Sequence, residues 1–383
     1  MRTQLITAAL ATGALAARPF LNEPDTGIQD VLGETPEGTL PDLTDMVALP
    51  DFDWAARNYL PLQNYTYYRN GASGEWSYRN NLEVFQRYTF NPRVMVDVTN
   101  IEKTLPTTIL GHNFSAPFYI SPCASGIYGH PQAELNLVKG AAAGDILYIP
   151  SGYATLSIED IHAAKAKGQV VFQQLYLTSN DTETRDLFDR SKEAGADALV
   201  FTVDAPTFGT RHRAARLDVS LASSEYRYIT WDYYKKLQTM TDLPIILKGI
   251  MSVKDALLAV EHNVPAIVLS NHGGRQLDGA PSALDVALDI YKKAPEVFEK
   301  IEVYADGGVR YGTDVLKLLS LGVRAVGLGR PFMYSNVFGS EGVELAIDLL
   351  KREIVVDAAN LGVGDLKKID ASYVEWTPNH SFT

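Results

Sequence analysis

Residues 244–274 read PIILKGIMSVKDALLAVEHNVPAIVLSNHGG, and this stretch predicts the architecture of the whole chain. A short apolar run at residues 244–248 is followed by an amphipathic segment at 253–263, and then by a second apolar run at 266–270. Near-continuous apolar strands on either side of a helix are typical of parallel strands that are buried on both faces. The stretch therefore predicts a strand–helix–strand unit of a parallel α/β sheet.

The same alternation repeats along the chain. Each apolar run is rich in β-forming residues, and most are followed by a polar or glycine-rich turn and a helical pattern. Eight such units are the number that closes a (β/α)8 barrel. A doubly wound open sheet is the competing architecture, but no Gly-x-Gly-x-x-Gly follows an early strand. The predicted strands are residues 118–121, 146–150, 170–176, 198–204, 244–248, 266–270, 302–305 and 325–329.

The segment before the first predicted strand divides into three parts. Residues 1–17 have the layout of a secretory signal peptide, and residues 18–51, rich in Pro, Gly and acidic residues, predict an extended leader. A helical, aromatic pattern then runs to Arg87, with a break at Gly71-Ala72. We therefore predict an α/β chain in which a TIM barrel with an N-terminal helical extension spans residues 52–383, with its core at about 115–340.

Several features bear on localisation and partners. The predicted signal peptide indicates entry into the secretory pathway, and no later stretch reaches the length of uninterrupted apolar residues that a membrane span needs. The formal net charge of -12, with scattered Lys and Arg, argues against a nucleic-acid partner. The lone Cys123 excludes an intrachain disulfide and a cysteine-based zinc site, so no metal is predicted. Four glycosylation sequons predict a glycoprotein: Asn64, Asn113, Asn180 and Asn379.

The most specific chemistry lies in residues 269–278, at the end of the sixth predicted strand. Here Ser270 and Asn271 precede His272, two glycines and Arg275. A neutral imidazole can take a proton near neutral pH, and a guanidinium can hold a carboxylate through two parallel hydrogen bonds. A base beside a carboxylate-binding arginine is what proton abstraction next to an acid group requires.

Two glycine-rich turns follow the seventh and eighth predicted strands. Residues 305–314 contain Asp306, Gly308 and Arg310, and residues 327–331 contain Gly329 and Arg330. Such turns expose backbone N–H groups that bind phosphate together with arginine, and barrels commonly hold a phosphate between these two loops. The pair of turns predicts a phosphate-bearing cofactor.

Taken together, these segments resemble the family of FMN-dependent enzymes that oxidise 2-hydroxy acids, which includes glycolate and lactate oxidases and mandelate dehydrogenase. The resemblance covers residues 59–376 and adds several ordered motifs to the three segments above. Those motifs are residues 65–72 (YTYYRNGA), 91–93 (NPR), 130–131 (HP), 172–176 (FQQLY), 202–206 (TVDAP) and 247–249 (LKG).

The resemblance implies a cofactor, FMN, and a reaction that converts a 2-hydroxy acid to the 2-keto acid. It implies that His272 is the active-site base, that Asp204 favours its protonated form, and that Lys248 lies near N1 and O2 of the flavin. Whether the base removes the carbon-bound or the hydroxyl proton stays open. The implied substrate-binding residues are Tyr67, Tyr176, Arg211 and Arg275, with Tyr153 in the substrate pocket. The implied FMN-binding residues are Ser151, Gln174, Thr202, Lys248, Ser270, Asp306, Gly308, Arg310, Gly329 and Arg330.

The chain departs from the family pattern in the segment between Arg211 and Trp231, which is shorter than in most relatives. Shortening a loop that can act as a lid suggests a more open site and a bulky substrate, such as a natural-product intermediate. Two alternatives stay open: an FMN barrel that acts on another substrate class, and a barrel that binds a ligand without turnover. The resemblance also implies a homotetramer, and the electron acceptor, oxygen or another, stays open.

Overall fold

The computed structural model describes residues 26–177, 180–219 and 226–378. Its central element is a sheet of eight parallel strands, one for each strand that the sequence predicts. The strands are β1 (Phe118–Ile120), β2 (Leu147–Tyr148), β3 (Gln173–Leu175), β4 (Leu199–Thr202), β5 (Ile245–Ile250), β6 (Ala266–Leu269), β7 (Glu302–Asp306) and β8 (Ala325–Leu328).

The sheet closes on itself. Its strand order is β2-β1-β8-β7-β6-β5-β4-β3, so β1 pairs with both β2 and β8. The two terminal strands, β2 and β3, are joined by a parallel bridge between Tyr148 and Val171. The N–H of Gln174 also donates to the carbonyl of Pro150 at 3.0 Å. The (β/α)8 barrel is therefore confirmed, and the doubly wound open sheet is excluded.

The helices form the N-terminal extension and the outer layer of the barrel. The predicted helices at 182–194, 253–263 and 313–321 are confirmed, with ends that differ by one or two residues. The extension contains α1 (Ile28–Leu32), α2 (Leu49–Tyr59), α3 (Leu62–Arg69) and α4 (Trp76–Glu83). The barrel contains α5 (Glu134–Ala143), α6 (Ile158–Ala163), α7 (Asp181–Glu193), α8 (His212–Ala215), α9 (Trp231–Leu237), α10 (Val253–Glu261), α11 (Ala283–Lys293), α12 (Val297–Lys300), α13 (Gly312–Ser320), α14 (Arg330–Ser335) and α15 (Gly339–Leu361).

A packed core fills the barrel. The inward-facing side chains include Tyr119, Phe172 and Tyr304, all almost completely buried. A hairpin formed by Thr107–Ile109 and His112–Phe114 adds Ile109 and Phe114 to the same cluster. This hairpin precedes β1 in the chain and covers the amino-terminal end of the barrel. Polar groups are therefore left at the carboxyl ends of the strands, where barrels carry their chemistry.

The structure differs from the extended leader expected over residues 18–51, of which it describes residues 26–51. Helix α1 lies within this stretch, and α2 begins at Leu49. The carboxylate of Asp51 accepts the N–H groups of Val47 and Ala48, which fixes the start of α2. Leu49 and Phe52 then place apolar side chains in the core. Composition predicted an extended leader because the stretch is rich in polar residues. The start of α2 depends on hydrogen bonds to the side chain of Asp51, which composition does not reveal.

The predicted break at Gly71-Ala72 lies between α3 and α4, and the helical extension is confirmed. The predicted signal peptide, residues 1–17, lies outside the described residues, as does the sequon at Asn379. Across the described part of the chain, no helix combines the length and the apolar character that crossing a membrane requires.

Candidate active site

A cleft-shaped cavity opens at the carboxyl ends of the barrel strands; its empty space, counted together with the open solvent at its mouth, is about 630 Å³. Side chains and turns from β1, β5, β6, β7 and β8 line it, together with the α3 residue Tyr68. The sequence-predicted site residues that line it are Lys248, His272, Arg275, Asp306, Gly308, Arg310, Gly329 and Arg330.

His272 follows β6 and pairs with Asp204, which follows β4. Nδ1 of His272 lies 2.9 Å from Oδ1 of Asp204, so this nitrogen carries the proton that the carboxylate accepts. The backbone of His272 has a φ of 60°, an uncommon value for a residue with a side chain, and its N–H donates to Oγ of Ser270 at 3.0 Å. The pair leaves Nε2 of His272 as the lone-pair nitrogen.

The surroundings of this pair set its charges. Burial lowers the pKa of His272 below its usual value of 6.5. The attraction of Asp204 acts to raise this pKa, whereas the charges of Lys248 and Arg211 lower it further. Burial acts to raise the pKa of Asp204, but attraction to His272, a hydrogen bond from it and the charge of Lys248 together lower this pKa below its usual value. We therefore assign a neutral imidazole and an ionised carboxylate at neutral pH.

A glycine permits the carboxylate to come this close. Gly249 has a φ of 111°, a conformation that side chains disfavour. A Cβ added at Gly249 would lie 2.6 Å from Cβ of Asp204, which is closer than such atoms approach. The end of β5 therefore packs directly against the residue that orients His272.

Lys248 belongs to a buried polar network at the ends of β5, β6 and β7. Its Nζ donates to Oγ of Ser270 at 2.8 Å and lies 3.2 Å from the carboxylate of Asp306. Ser270 in turn donates to Asp306 at 2.5 Å, and Ser121 contacts the other carboxylate oxygen at 3.3 Å. Burial would lower the pKa of Lys248, but Asp306 and Asp204 raise it above its usual value. The ammonium therefore stays charged inside the cavity.

Two arginines, Arg211 and Arg275, lie next to each other near His272. Nε of Arg211 donates to the carbonyl of Arg275 at 2.9 Å, and its Nη2 donates to the side chain of Gln276 at 2.9 Å. Neither arginine forms an ion pair with a carboxylate of residues 26–177, 180–219 or 226–378. Burial, reinforced by the charge of Arg275, lowers the pKa of Arg211 to about 9. Two adjacent cations without a carboxylate partner form a site for an anion.

The predicted tyrosines lie beside these groups. The hydroxyl of Tyr176 is 3.4 Å from Nε2 of His272, which is a long hydrogen bond. The guanidinium of Arg275 lies over the ring of Tyr67 at 5.4 Å, and its Nη2 donates to the backbone carbonyl of Tyr67 at 3.3 Å. The structure therefore brings the base, both arginines and both tyrosines together.

Ser151 follows β2, Gln174 lies within β3, and Thr202 is the last residue of β4. Gln174 donates to Thr202 at 2.9 Å and accepts the N–H of Gly152 at 2.8 Å. Ser151 accepts the N–H of Tyr153 at 3.1 Å. These three do not line the cavity itself, and their predicted role in FMN binding stays a prediction.

The two glycine-rich turns are held against the helical extension. Gly308, with a φ of 86°, contacts Asn81 of α4 so closely that an added Cβ would lie 1.9 Å from the carbonyl oxygen of Asn81. Arg330 donates at 2.8–3.0 Å to three backbone carbonyls, those of Tyr68, Asn70 and Gly273. Besides lining the cavity, Arg330 thus ties the extension to the loop that carries His272.

The family follows from comparison with known proteins. Residues 56–227 and 220–376 match the family model described as FMN-dependent dehydrogenase. The chain belongs to this family. It is 34% identical over 365 residues to the L-lactate dehydrogenase (cytochrome) of Wickerhamomyces anomalus, which covers 89% of this chain and 63% of that enzyme. It is also 34% identical over 354 residues to glycolate oxidase 3 of Oryza sativa subsp. indica, covering 85% and 95%.

Comparison with solved structures supports membership of the same family. A mutant of flavocytochrome b2 with benzoylformate matches with a TM-score of 0.84 and 34% identity, over 93% of this chain and 91% of that chain. The resemblance noted in the sequence is therefore confirmed. The chain spans less than two thirds of the length of the cytochrome-linked relative, at 63%.

The cavity fits the FMN that gives this family its name. Its lining contains four cationic side chains against one carboxylate, that of Asp306, which Lys248 already neutralises. Backbone at Gly307, Gly308 and Gly329 forms part of the wall, as expected where N–H groups approach a phosphate. Arg310 and the glycine backbone would hold the phosphate, and Lys248 would face the ring.

Sequence reasoning missed Asn81 and Arg227, and it placed Asn271 in the active-site segment without giving it a role. Asn81 and Asn271 exchange two amide hydrogen bonds of 2.8 Å, which join α4 to the loop after β6. Arg227 donates from Nη2 to the hydroxyl of Tyr153 at 2.7 Å. No local sequence pattern marks the two asparagines as partners, because they are 190 residues apart. Arg227 lies in the shortened segment after β4, and that departure from the family pattern was the only available signal.

Proposed function

We propose that this chain uses FMN to oxidise a 2-hydroxy acid to the corresponding 2-keto acid. The observation that carries the proposal is the position of the His272–Asp204 pair beside Arg275 and Arg211, two guanidinium groups without a carboxylate partner in the described residues. Membership of the FMN-dependent dehydrogenase family supports it. The intact pair argues against the alternative of a barrel that binds without turnover.

The two arginines bind the substrate carboxylate. A guanidinium presents paired donors that match a carboxylate, and burial strengthens the attraction because little water screens it. With the carboxylate held there, the 2-hydroxyl group is directed toward Tyr176 and Nε2 of His272. Binding also removes the repulsion between Arg211 and Arg275, whose charges otherwise oppose each other.

His272 accepts the substrate proton at Nε2. Its Nδ1–H bond to Asp204 holds the ring in the required tautomer, and the carboxylate stabilises the imidazolium that forms. When bound, FMN supplies the acceptor for the two electrons that leave the carbinol carbon. Lys248 keeps a positive charge in the cavity, where it favours negative charge developing nearby.

The decisive experiment is the visible absorption spectrum of the purified protein during anaerobic addition of 2-hydroxy acids. The panel should contain small acids, such as glycolate and lactate, and bulky ones, such as mandelate. We expect flavin bands that bleach with at least one class of acid. A protein that cannot be loaded with FMN, or a bound flavin that no acid reduces, would refute the proposal.

Substrate size is a finer point within this proposal. We propose that the pocket accepts acids larger than glycolate and lactate. Tyr153, which stacks on Tyr176 beside the site, is 37% exposed, so solvent reaches this side of the site. The matched flavocytochrome b2 mutant was solved with benzoylformate, an aromatic 2-keto acid. Exclusive turnover of two- and three-carbon acids would contradict this part.

The rate of flavin reduction should depend on pH through His272. Because burial lowers its pKa below 6.5, the imidazole is neutral above that pH and becomes protonated as the pH falls through the lowered value. The acid limb of the rate should therefore lie below pH 6.5. Stopped-flow reduction measured across pH, under anaerobic conditions, checks this; a limb above pH 6.5 would contradict it.

The Asp204→Asn variant tests whether the acid limb of the pH–rate profile reports the protonation of His272. The amide keeps a hydrogen-bond acceptor for Nδ1 but removes the charge that raises the pKa of His272, so the limb should move to still lower pH. The rate should fall about 10- to 150-fold, since a hydrogen bond to a charged group contributes about 1.5–3 kcal/mol.

We also propose entry into the secretory pathway, with glycosylation, and a homotetrameric assembly. The N-terminal pattern of the sequence supports the first, and Asn113, in the second strand of the hairpin before β1, offers an exposed sequon. The tetramer follows from the resemblance to the family. The molecular mass of protein recovered from culture medium, before and after removal of N-glycans, tests these together.

A further inference from the structure

Arg227 and Phe208, which the function proposed above does not use, lie near the catalytic pair together with the rings of Tyr153 and Tyr176. Tyr153 follows β2, Tyr176 follows β3, and Phe208 and Arg227 follow β4. The rings of Tyr153 and Tyr176 are stacked with centroids 4.7 Å apart and an interplanar angle of 23°. Tyr153 and Phe208 have centroids 6.2 Å apart. We call these four residues the arginine–aromatic cluster.

Arg227 is held firmly in this cluster. Its guanidinium carbon lies 4.9 Å from the ring centroid of Tyr176 and 5.2 Å from that of Phe208. Nη2 donates to the hydroxyl of Tyr153 at 2.7 Å, and Nη1 donates to the carbonyl of Ala205 at 3.1 Å. A charge fixed between two rings and two oxygens loses little further freedom when it binds a ligand.

Among the residues that the structure describes, no carboxylate neutralises the charge of Arg227, although the side chain is half-buried. The ring contacts offset part of the lost hydration, but two neutral oxygens do not supply a counter-charge. The guanidinium retains N–H groups beyond the two that these contacts use. The arrangement therefore favours an incoming anion.

Only one ring separates this cation from the reacting atoms. The hydroxyl of Tyr176 lies 3.4 Å from Nε2 of His272, and the face of the same ring carries Arg227. The charges of Arg275 and Arg211 also act on the Tyr176 hydroxyl, so all three guanidinium groups lie around this one side chain. A substrate whose first carboxylate lies on those two arginines can therefore extend its remaining substituent past Tyr176 toward Arg227.

Resting on the function proposed above, we propose that Arg227 is a specificity-determining residue that binds a second carboxylate at the far end of the substrate. The substrate class is then a short-chain 2-hydroxy dicarboxylic acid. The stacked rings of Tyr153 and Tyr176 form the wall along which its methylene groups lie. Arg227 lies in the shortened segment after β4, and its contact with the Tyr176 ring places it beside the site.

The test compares two five-carbon acids that differ only at the far end, 2-hydroxyglutarate and 2-hydroxypentanoate, each as both enantiomers. Anaerobic flavin reduction by the holoenzyme is measured with each acid. Calorimetry gives the affinities of the corresponding 2-keto acids. The variants are Arg227→Met, Arg227→Lys and, as a matched control on the exposed face of α7, Arg185→Met.

The wild-type enzyme should favour the dicarboxylic acid. Arg227→Met should weaken its use and the affinity of its keto acid by about 10- to 100-fold, the loss expected for a charge-assisted hydrogen bond. The monocarboxylic acid should change by less than about twofold. Arg227→Lys should retain part of the preference, and Arg185→Met all of it.

Two other results separate failure of this inference from failure of the proposed function. If the monocarboxylic acid reduces the flavin equally well and Arg227→Met leaves the ratio unchanged, the inference is wrong and the proposed function stands. If no acid reduces the flavin, the proposed function is wrong. The calorimetric ratio of the two keto acids, with and without Arg227, then still decides whether the second carboxylate binds there.

Discussion

The His272→Asn variant is expected to reduce its flavin about 100- to 10,000-fold more slowly than the wild-type enzyme while keeping FMN bound. The loss is large because the amide cannot accept the substrate proton. Asn is the suitable replacement because His272 has a φ of 60°, and Asn tolerates this region better than other residues with side chains. The fold and the cavity should therefore survive the substitution.

Stopped-flow absorbance during anaerobic mixing with a reducing acid measures the effect, and the ratio of flavin to protein shows whether FMN is retained. His262→Asn is a matched control, because His262 lies at the end of α10 and stacks on Trp231 at 4.8 Å. It should reduce its flavin at the wild-type rate. A His272→Asn enzyme that stays within tenfold of wild type would show that another group takes the proton.

The Lys248→Met variant is expected to lose both FMN affinity and stability. The side chain of Lys248 is only 6% exposed and that of Asp306 8%, so removing the ammonium leaves a buried carboxylate without its counter-charge. Breaking such a pair from one side costs about 3–5 kcal/mol. Urea unfolding of the apo-protein gives the free energy, and the flavin content after desalting gives the retention of FMN.

A second variant separates the two effects. In Lys248→Met with Asp306→Asn, the buried charge is gone and the amide can still accept from Ser270, so most of the lost stability should return. FMN binding should stay weak, because the cation is still missing from the cavity. A single Lys248→Met variant as stable as the wild type would mean that water reaches Asp306.

Much of the architecture could be predicted because its signals are local. An apolar run indicates a strand that is buried on both faces, and an amphipathic segment indicates a helix that is buried on one face. Both signals lie within a few neighbouring residues of the sequence. The eight strands and helices such as α7, α10 and α13 follow from that pattern. The start of α2 did not, since it depends on the bonds that Asp51 makes with neighbouring N–H groups.

The chemistry at the strand ends could be predicted in kind. Once a strand ends at Lys248, Ser270 or Asp306, the parallel arrangement places its polar residue at one rim of the barrel. Residue type and order then indicated a base, a carboxylate-binding arginine and a phosphate site. The sequence by itself therefore determined the barrel, the rim and the classes of group that gather there.

Only the tertiary structure decided which of these groups touch. His272 and Asp204 are 68 residues apart and meet because β4 and β6 lie on either side of β5, whose Gly249 leaves room for the carboxylate. The 65-residue separation of Arg211 and Gln276, and the contact of Arg227 with Tyr153 across 74 residues, have the same origin. Closure of the barrel selects such contacts, and no local pattern encodes a distance of a few ångströms between distant segments.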